Sequence, residues 1–174
     1  MFIIIEGPDG AGKSTLVQEL AMQLWRADRG TVLINPKRSP RQHVLVEYKL
    51  RLDFYQPRKG VDLILDRCWY SDDVYGPRWR GAGLEAGVRT ELEEWADALG
   101  AVVARLDQPD EVLRDRLAER GDEDVEPDDV AIYAALYRSQ SETWLLETML
   151  NPSPADLIER AVKREETARA SFRK

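Results

Sequence analysis

The sequence predicts an α/β fold: a five-stranded parallel sheet with helices on both faces. Three observations predict it. Apolar runs suited to buried strands recur at Phe2–Ile5, Thr31–Ile34, Val61–Leu65, Ala101–Leu106 and Thr143–Leu150. Stretches with helical spacing of apolar residues separate them, and strand alternating with helix implies parallel pairing through crossovers. A glycine-rich turn joins the first strand to the first helix, where an α/β sheet presents its carboxyl edge to ligands. At 174 residues the chain is expected to form one domain, 1–174.

Each element follows from its residues. Phe2-Ile-Ile-Ile-Glu6 is a continuous apolar run, read as a strand buried on both faces. Lys13–Asp28 carries Leu16, Val17, Leu20, Ala21 and Leu24 at helical spacing. Further helices are expected within Gln42–Phe54 and over Ser71–Tyr75, Leu84–Leu99, Pro109–Arg120, Pro127–Glu142 and Pro154–Phe172. The polar stretch Gly121–Pro127 between two of these helices reads either as a surface connection or as part of a lid-like segment, 114–128.

Gly7-Pro-Asp-Gly-Ala-Gly-Lys-Ser-Thr15 fits G-x-x-x-x-G-K-[ST] at every fixed position, a phosphate-binding loop. Gly7, Gly10 and Gly12 let the backbone curl so that successive N–H groups form a nest for phosphate oxygens. Asp9, Ala11 and Thr15 complete the stretch expected against the nucleotide. Lys13 is placed to reach the β- and γ-phosphates, and the Ser14 hydroxyl is a natural magnesium ligand. A nucleoside triphosphate with Mg2+ is the expected ligand. Asp66, closing the third strand, is a second metal candidate, and Arg67 beside it a bidentate phosphate clamp. Capping of the next helix by Asp66 and an acidic partner for Arg67 remain open alternatives.

Composition narrows the partners. The net charge of −7 argues against sequence-independent binding of a long polyanion. Residues 35–60 nevertheless carry seven Lys/Arg against Glu47 and Asp53, which suits a small anionic acceptor. The single cysteine, Cys68, excludes an internal disulfide and fits a reducing cytoplasm. No leader is expected, since Met1 runs directly into the first strand, and no stretch is long enough to span a membrane. His43, the single histidine, reads as a hydrogen-bonding surface residue rather than a catalyst.

Asp66-Arg-Cys-Trp-Tyr-Ser-Asp-Asp-Val-Tyr-Gly76 resembles the thymidylate kinase motif D-R-Y-x-x-S-x-x-A-Y-Q, with Asp66, Arg67, Ser71 and Tyr75 in register. Phe2–Thr15 is similar to the opening of that family, including the aspartate two residues after the first glycine. Tyr75-Gly-Pro-Arg-Trp-Arg-Gly81 resembles actinobacterial and phage members. The resemblance is tight over 2–15 and 66–81; elsewhere it amounts to the order of elements.

It implies a P-loop NTPase fold of nucleotide-kinase type, phosphoryl transfer from ATP to a deoxynucleoside monophosphate, magnesium and a homodimer. Asp9 would contact the acceptor sugar, Arg67 the acceptor phosphate, and Asp66 would help position magnesium and the attacking oxygen. Members without a loop arginine supply cations from the lid; with Gly10-Ala11 in the loop, that role falls on Arg116 and Arg120, with Arg114 in reserve. Pairing of these arginines with Asp110, Asp115 and Glu119 along the helix is the alternative. Arg38, in Asn35–Pro40, aligns with an acceptor-phosphate segment, although its Glu and Gly are missing. Tyr48, Trp69 and Tyr75 are expected to stack on the acceptor base, among other aromatics. Cys68 and Gly76 depart from the motif, and the interval before Asp66 is shortened.

A kinase for dTMP is the leading expectation. A deoxynucleoside or a modified base in DNA is the nearest rival acceptor. A hydrolytic switch or assembly ATPase is the rival from another class, but the Asn/Thr-Lys-x-Asp motif of GTPases is missing.

Overall fold

The computed structural model describes residues 1–35, 48, 61–121 and 129–171. Its elements are β1 (Phe2–Glu6), α1 (Lys13–Arg26), β2 (Gly30–Ile34), β3 (Val61–Asp66), α2 (Trp69–Arg80), α3 (Ala86–Ala98), β4 (Ala101–Arg105), α4 (Asp110–Arg120), α5 (Val130–Ser141), β5 (Thr148–Leu150) and α6 (Pro154–Ser171). The five strands form one parallel sheet in the order β2-β3-β1-β4-β5. The expected α/β class and five-stranded sheet are therefore present.

All five β1 residues are buried. Full burial requires helices above and below, which is what a central parallel strand experiences. Each buried isoleucine side chain contributes about 2–3 kcal/mol of transfer free energy. Helices α1 and α6 contact each other, while α5 packs against α2 and α4. Phe2 meets Trp95 of α3 edge-on, with ring centroids 6.2 Å apart.

The strand order decides where a ligand sits. The chain leaves β1 toward β2 and β3 on one side and returns to β4 on the other, so β1 stands at the switch point of the sheet. The register sets Ile5 opposite Asp66 and Glu6 opposite Arg105, bringing the carboxyl ends of β1, β3 and β4 together.

Several boundaries differ from expectation for physical reasons. The fifth strand covers only 148–150, because Trp144 and Leu146 plug the core instead of joining the ladder; Trp144 stacks on Tyr70 at 4.0 Å. Helix α2 runs past Gly76-Pro77 to Arg80, giving up one backbone bond at the proline and closing at Gly81 in the left-handed region. Helix α5 starts at Val130; the expected start at Pro127 lies outside the described residues. The helix expected within Gln42–Phe54 lies outside them too, except for Tyr48, which is helical and buried. No described helix is long and apolar enough to cross a membrane.

Candidate active site

A cleft of about 640 Å³ opens at the carboxyl edge of the sheet, lined by the Asp9–Leu16 loop, Asp66 and Arg67, Arg116 and Arg120, and Asn151–Pro152. Its floor is made by backbone. Gly7 has φ +145°, and a Cβ there would lie 2.3 Å from the Leu106 carbonyl oxygen, so only glycine lets the loop pass β4 this closely. The first turn of α1 contains no acidic residue, which leaves the positive end of the helix dipole to act on an anion.

Lys13, buried at the start of α1, donates to the carbonyl oxygens of Gly7 at 2.8 Å and Pro8 at 2.7 Å. Burial, reinforced by the Arg67 charge, pulls its pKa down to about 7, against the opposing pull of Asp9, Glu6 and Asp66. Ser14 and Thr15 are exposed on the cleft side of the same turn. Asp66 is half-buried at the tip of β3, and its Oδ2 accepts from Asn35 Nδ2 at 3.0 Å. Arg116 reaches across to donate to the Gly10 carbonyl at 2.8 Å. Arg120, one helical turn on, also lines the cleft, whereas Arg114 does not.

The other half is a side-chain network. Arg67 takes a left-handed backbone, φ 72°, which non-glycine residues adopt only where the surroundings fix them. Its N–H donates to Ile5 O at 2.9 Å. Its guanidinium pairs with Asp9 Oδ1, donates to Ser71 Oγ at 3.2 Å and Tyr137 OH at 3.1 Å, and lies over the Tyr75 ring at 5.1 Å. Tyr75 OH donates to Asp9 Oδ2 at 2.7 Å, so both Asp9 oxygens are engaged. Burial raises the Asp9 pKa, but the Arg67 and Lys13 charges and the Tyr75 bond outweigh it, and the net shift is downward.

Among the sequence-derived candidates, Lys13, Asp9, Arg67, Ser71, Tyr75, Asp66, Ser14 and Arg116 therefore converge on one cleft and its wall. Tyr48 and Trp69 do not present free ring faces. Trp69 is 0% exposed, packed edge-on against Tyr48 at 5.7 Å and against Tyr70 at 5.6 Å. The Tyr48 hydroxyl donates to Asp72 at 3.1 Å. Both rings build the wall behind the site, because α2 starts at Trp69 and turns that side chain into the core. Arg38 lies outside the described residues, as do 122–128 of the lid-like segment.

Two groups of site residues were missed in the sequence. Glu6, wholly buried, accepts four hydrogen bonds at the end of β1. Its signal was a carboxylate ending an otherwise apolar buried strand. Asn151, Pro152 and Pro154 also line the cleft. Asn151 Oδ1 accepts from Asp107 N at 2.8 Å, while Arg138 clamps the Asp107 carboxylate at 2.9 Å from α5. Only the left-handed Asn151, φ 44°, before Pro152 marks that turn.

A scan against protein-family models finds no match, and a search of curated proteins finds none. Solved structures do match. The chain is similar to the YorR protein of Bacillus subtilis in complex with phosphorylated GDP, at 24% identity over 100% of this chain and 99% of that one, with a TM-score of 0.70. Polyphosphate kinase 2 from Arthrobacter aurescens TC1 follows at 17% identity, over 97% of this chain and 67% of that one, TM-score 0.60. Deoxyadenosine kinase from M. mycoides, with products dCMP and dCDP, matches at 13% identity over 98% and 100%, TM-score 0.55. These likenesses show the fold: the five-stranded parallel sheet with helices on both faces is the one these proteins share.

Proposed function

We propose that this protein is a nucleotide kinase that moves the γ-phosphoryl group of ATP onto a deoxynucleoside monophosphate, with dTMP the first acceptor to test. The observation that carries this reading is the Asp9–Arg67–Tyr75 cluster set against the Lys13 loop. A phosphate-binding nest alone would suit any nucleotide hydrolase. A carboxylate, a clamped guanidinium and a phenol beside it form a second, polar subsite for an acceptor sugar and phosphate.

In this reading the loop amides and Lys13 bind the donor phosphates, and Lys13 exchanges the Gly7 and Pro8 carbonyls for phosphate oxygens. Arg116, within reach of Gly10, and Arg120 meet charge that builds on the transferring group. Arg67 orients the acceptor phosphate, and Asp9 with Tyr75 orients its sugar. Magnesium would be held by Ser14 and Asp66. That donor set fits an ion that retains waters and takes phosphate oxygens, since no group of three or more acidic, Cys or His ligands occurs among the described residues. When bound, the ion offsets charge on the β- and γ-phosphates. Activity on free nucleotides fits a cytoplasmic enzyme, and the thymidylate kinase resemblance adds a homodimer, checked by sedimentation.

One observation favours a second reading. The Arg67 guanidinium already serves Asp9, Ser71 and Tyr137, which leaves it less donor capacity for an acceptor phosphate. A deoxynucleoside acceptor asks less of that arginine, and the likeness to a deoxyadenosine kinase supports testing it. The experiment is ATP consumption with magnesium against dTMP, the other monophosphates, free deoxynucleosides and DNA. Preference for dTMP supports the proposal. Turnover of nucleosides or DNA alone replaces the acceptor, and ATP hydrolysis independent of any acceptor removes the kinase reading.

A further inference from the structure

We infer that Glu6 is a positioning residue: through the Ser71 and Tyr137 hydroxyls, its buried carboxylate sets the aim of the Arg67 guanidinium at the acceptor. The inference rests on the kinase reading above and adds a residue outside the phosphate loop and outside the Asp66-Arg67 pair.

Glu6 is the last residue of β1, 0% exposed, one position before the phosphate loop. Oε1 accepts from Cys68 N at 2.6 Å, fixing the turn that carries Arg67. Oε2 accepts from Ser71 Oγ at 2.7 Å and Tyr137 OH at 3.1 Å. Those two hydroxyls lie 2.7 Å from each other, and both accept from the same Arg67 nitrogen, Nη1.

Proton bookkeeping gives this arrangement a direction. Each hydroxyl has one proton, and an ionised carboxylate only accepts. Two protons serve three short contacts, so each hydroxyl donates either to the carboxylate or to its neighbour, and a carboxylate behind the pair thereby keeps oxygen lone pairs toward the guanidinium. Arg67 therefore meets acceptors on its Nη1 side and the Asp9 carboxylate at Nη2. The strained backbone of Arg67 shows why such support is needed: φ 72° persists only when neighbours over-determine it. Glu6 ties three pieces together there, namely β1, the start of α2 and α5.

Glu6→Gln keeps the shape but not the direction. One end of the amide must donate, so it faces either the Cys68 N–H, another donor, or the hydroxyl pair, whose protons then turn on Arg67. The variant is expected to raise the acceptor KM about tenfold, the size of one charge-assisted hydrogen bond, with the ATP KM changed less than about twofold. Tyr137→Phe removes one oxygen and keeps the ring in the core, and serves if Glu6→Gln fails to fold; it is expected to raise the acceptor KM about threefold. Combined with Arg67→Lys, Glu6→Gln should add almost nothing, because it acts through that arginine. Equal losses for ATP and acceptor, or full multiplication in the double variant, would overturn the inference.

A readout without turnover separates this inference from the kinase reading. The Arg67 side-chain Nε–H resonance of ¹⁵N-arginine protein should be sharp in the parent and broadened in Glu6→Gln and Tyr137→Phe. An unchanged resonance in both variants refutes the positioning role. A parent enzyme that phosphorylates no acceptor refutes the kinase reading alone.

Discussion

The two halves of the cleft are built by different means. In the proposed reading the donor half is mostly backbone: a left-handed glycine turn, a helix N-terminus and one lysine, all within residues 7–15. The proposed acceptor half is side chain: Glu6, Asp9, Arg67, Ser71, Tyr75 and Tyr137, drawn from β1, the phosphate loop, the turn after β3, α2 and α5. A backbone site binds what every nucleoside triphosphate shares, its phosphates. A side-chain site changes with each substitution, so under the proposed function it is where acceptor choice would be set.

That contrast orders the expected effects of substitution. Lys13→Met should give the largest, a loss of about 10²–10³ in kcat with the fold retained, since one preorganised cation is removed from the transferring phosphate. Gly7→Ala attacks the other donor component. With its Cβ 2.3 Å from Leu106 O, the loop must shift, at a cost of about 1–3 kcal/mol in urea unfolding and with loss of ATP affinity. A variant that binds ATP normally would show that the turn is dispensable. Arg67→Lys should weaken the acceptor about ten- to a hundredfold and ATP by less than about threefold, because a lysine cannot serve three partners with a planar fork. Comparable losses for both ligands would erase the distinction between the halves.

Two smaller effects sharpen it. Tyr75→Phe loses the bond to Asp9 and should cost about 1 kcal/mol, read as a severalfold rise in acceptor KM alone. Asp9→Asn tests the acid side. Because the Asp9 carboxyl is held below its ordinary value when folded, its ionised form contributes stability above the usual carboxylate range. That contribution is lost as pH falls through the lowered folded value. Asp9→Asn should therefore flatten the acid limb of the stability profile, and an unchanged limb would show that another carboxylate governs it.

The same contrast explains what the sequence made legible. The donor half was readable because its chemistry is local: glycines, lysine and serine at fixed spacing dictate a turn whatever surrounds them. The central strand was readable because three isoleucines in a row have no solvated face. The pairing of Glu6 with Tyr137 was not legible, since their bond spans 131 positions and depends on how α5 packs near the end of β1. Trp69 misled for a related reason. Its place in the motif suggested a base platform, but helix phase at its first turn decides whether a ring faces the cleft or the core, and here it faces the core. The short fifth strand was overcalled because Trp144–Leu146 has the apolarity of a strand while its side chains fill a gap beside Tyr70.

The most direct measurement follows the phosphorus itself: ³¹P NMR of the purified protein with ATP, magnesium and dTMP. The account predicts the dTMP singlet giving way to the two coupled resonances of a diphosphate as ATP becomes ADP, and Lys13→Met abolishing the change. ATP converted to ADP and inorganic phosphate, with the dTMP signal untouched and every other monophosphate equally inert, would contradict it.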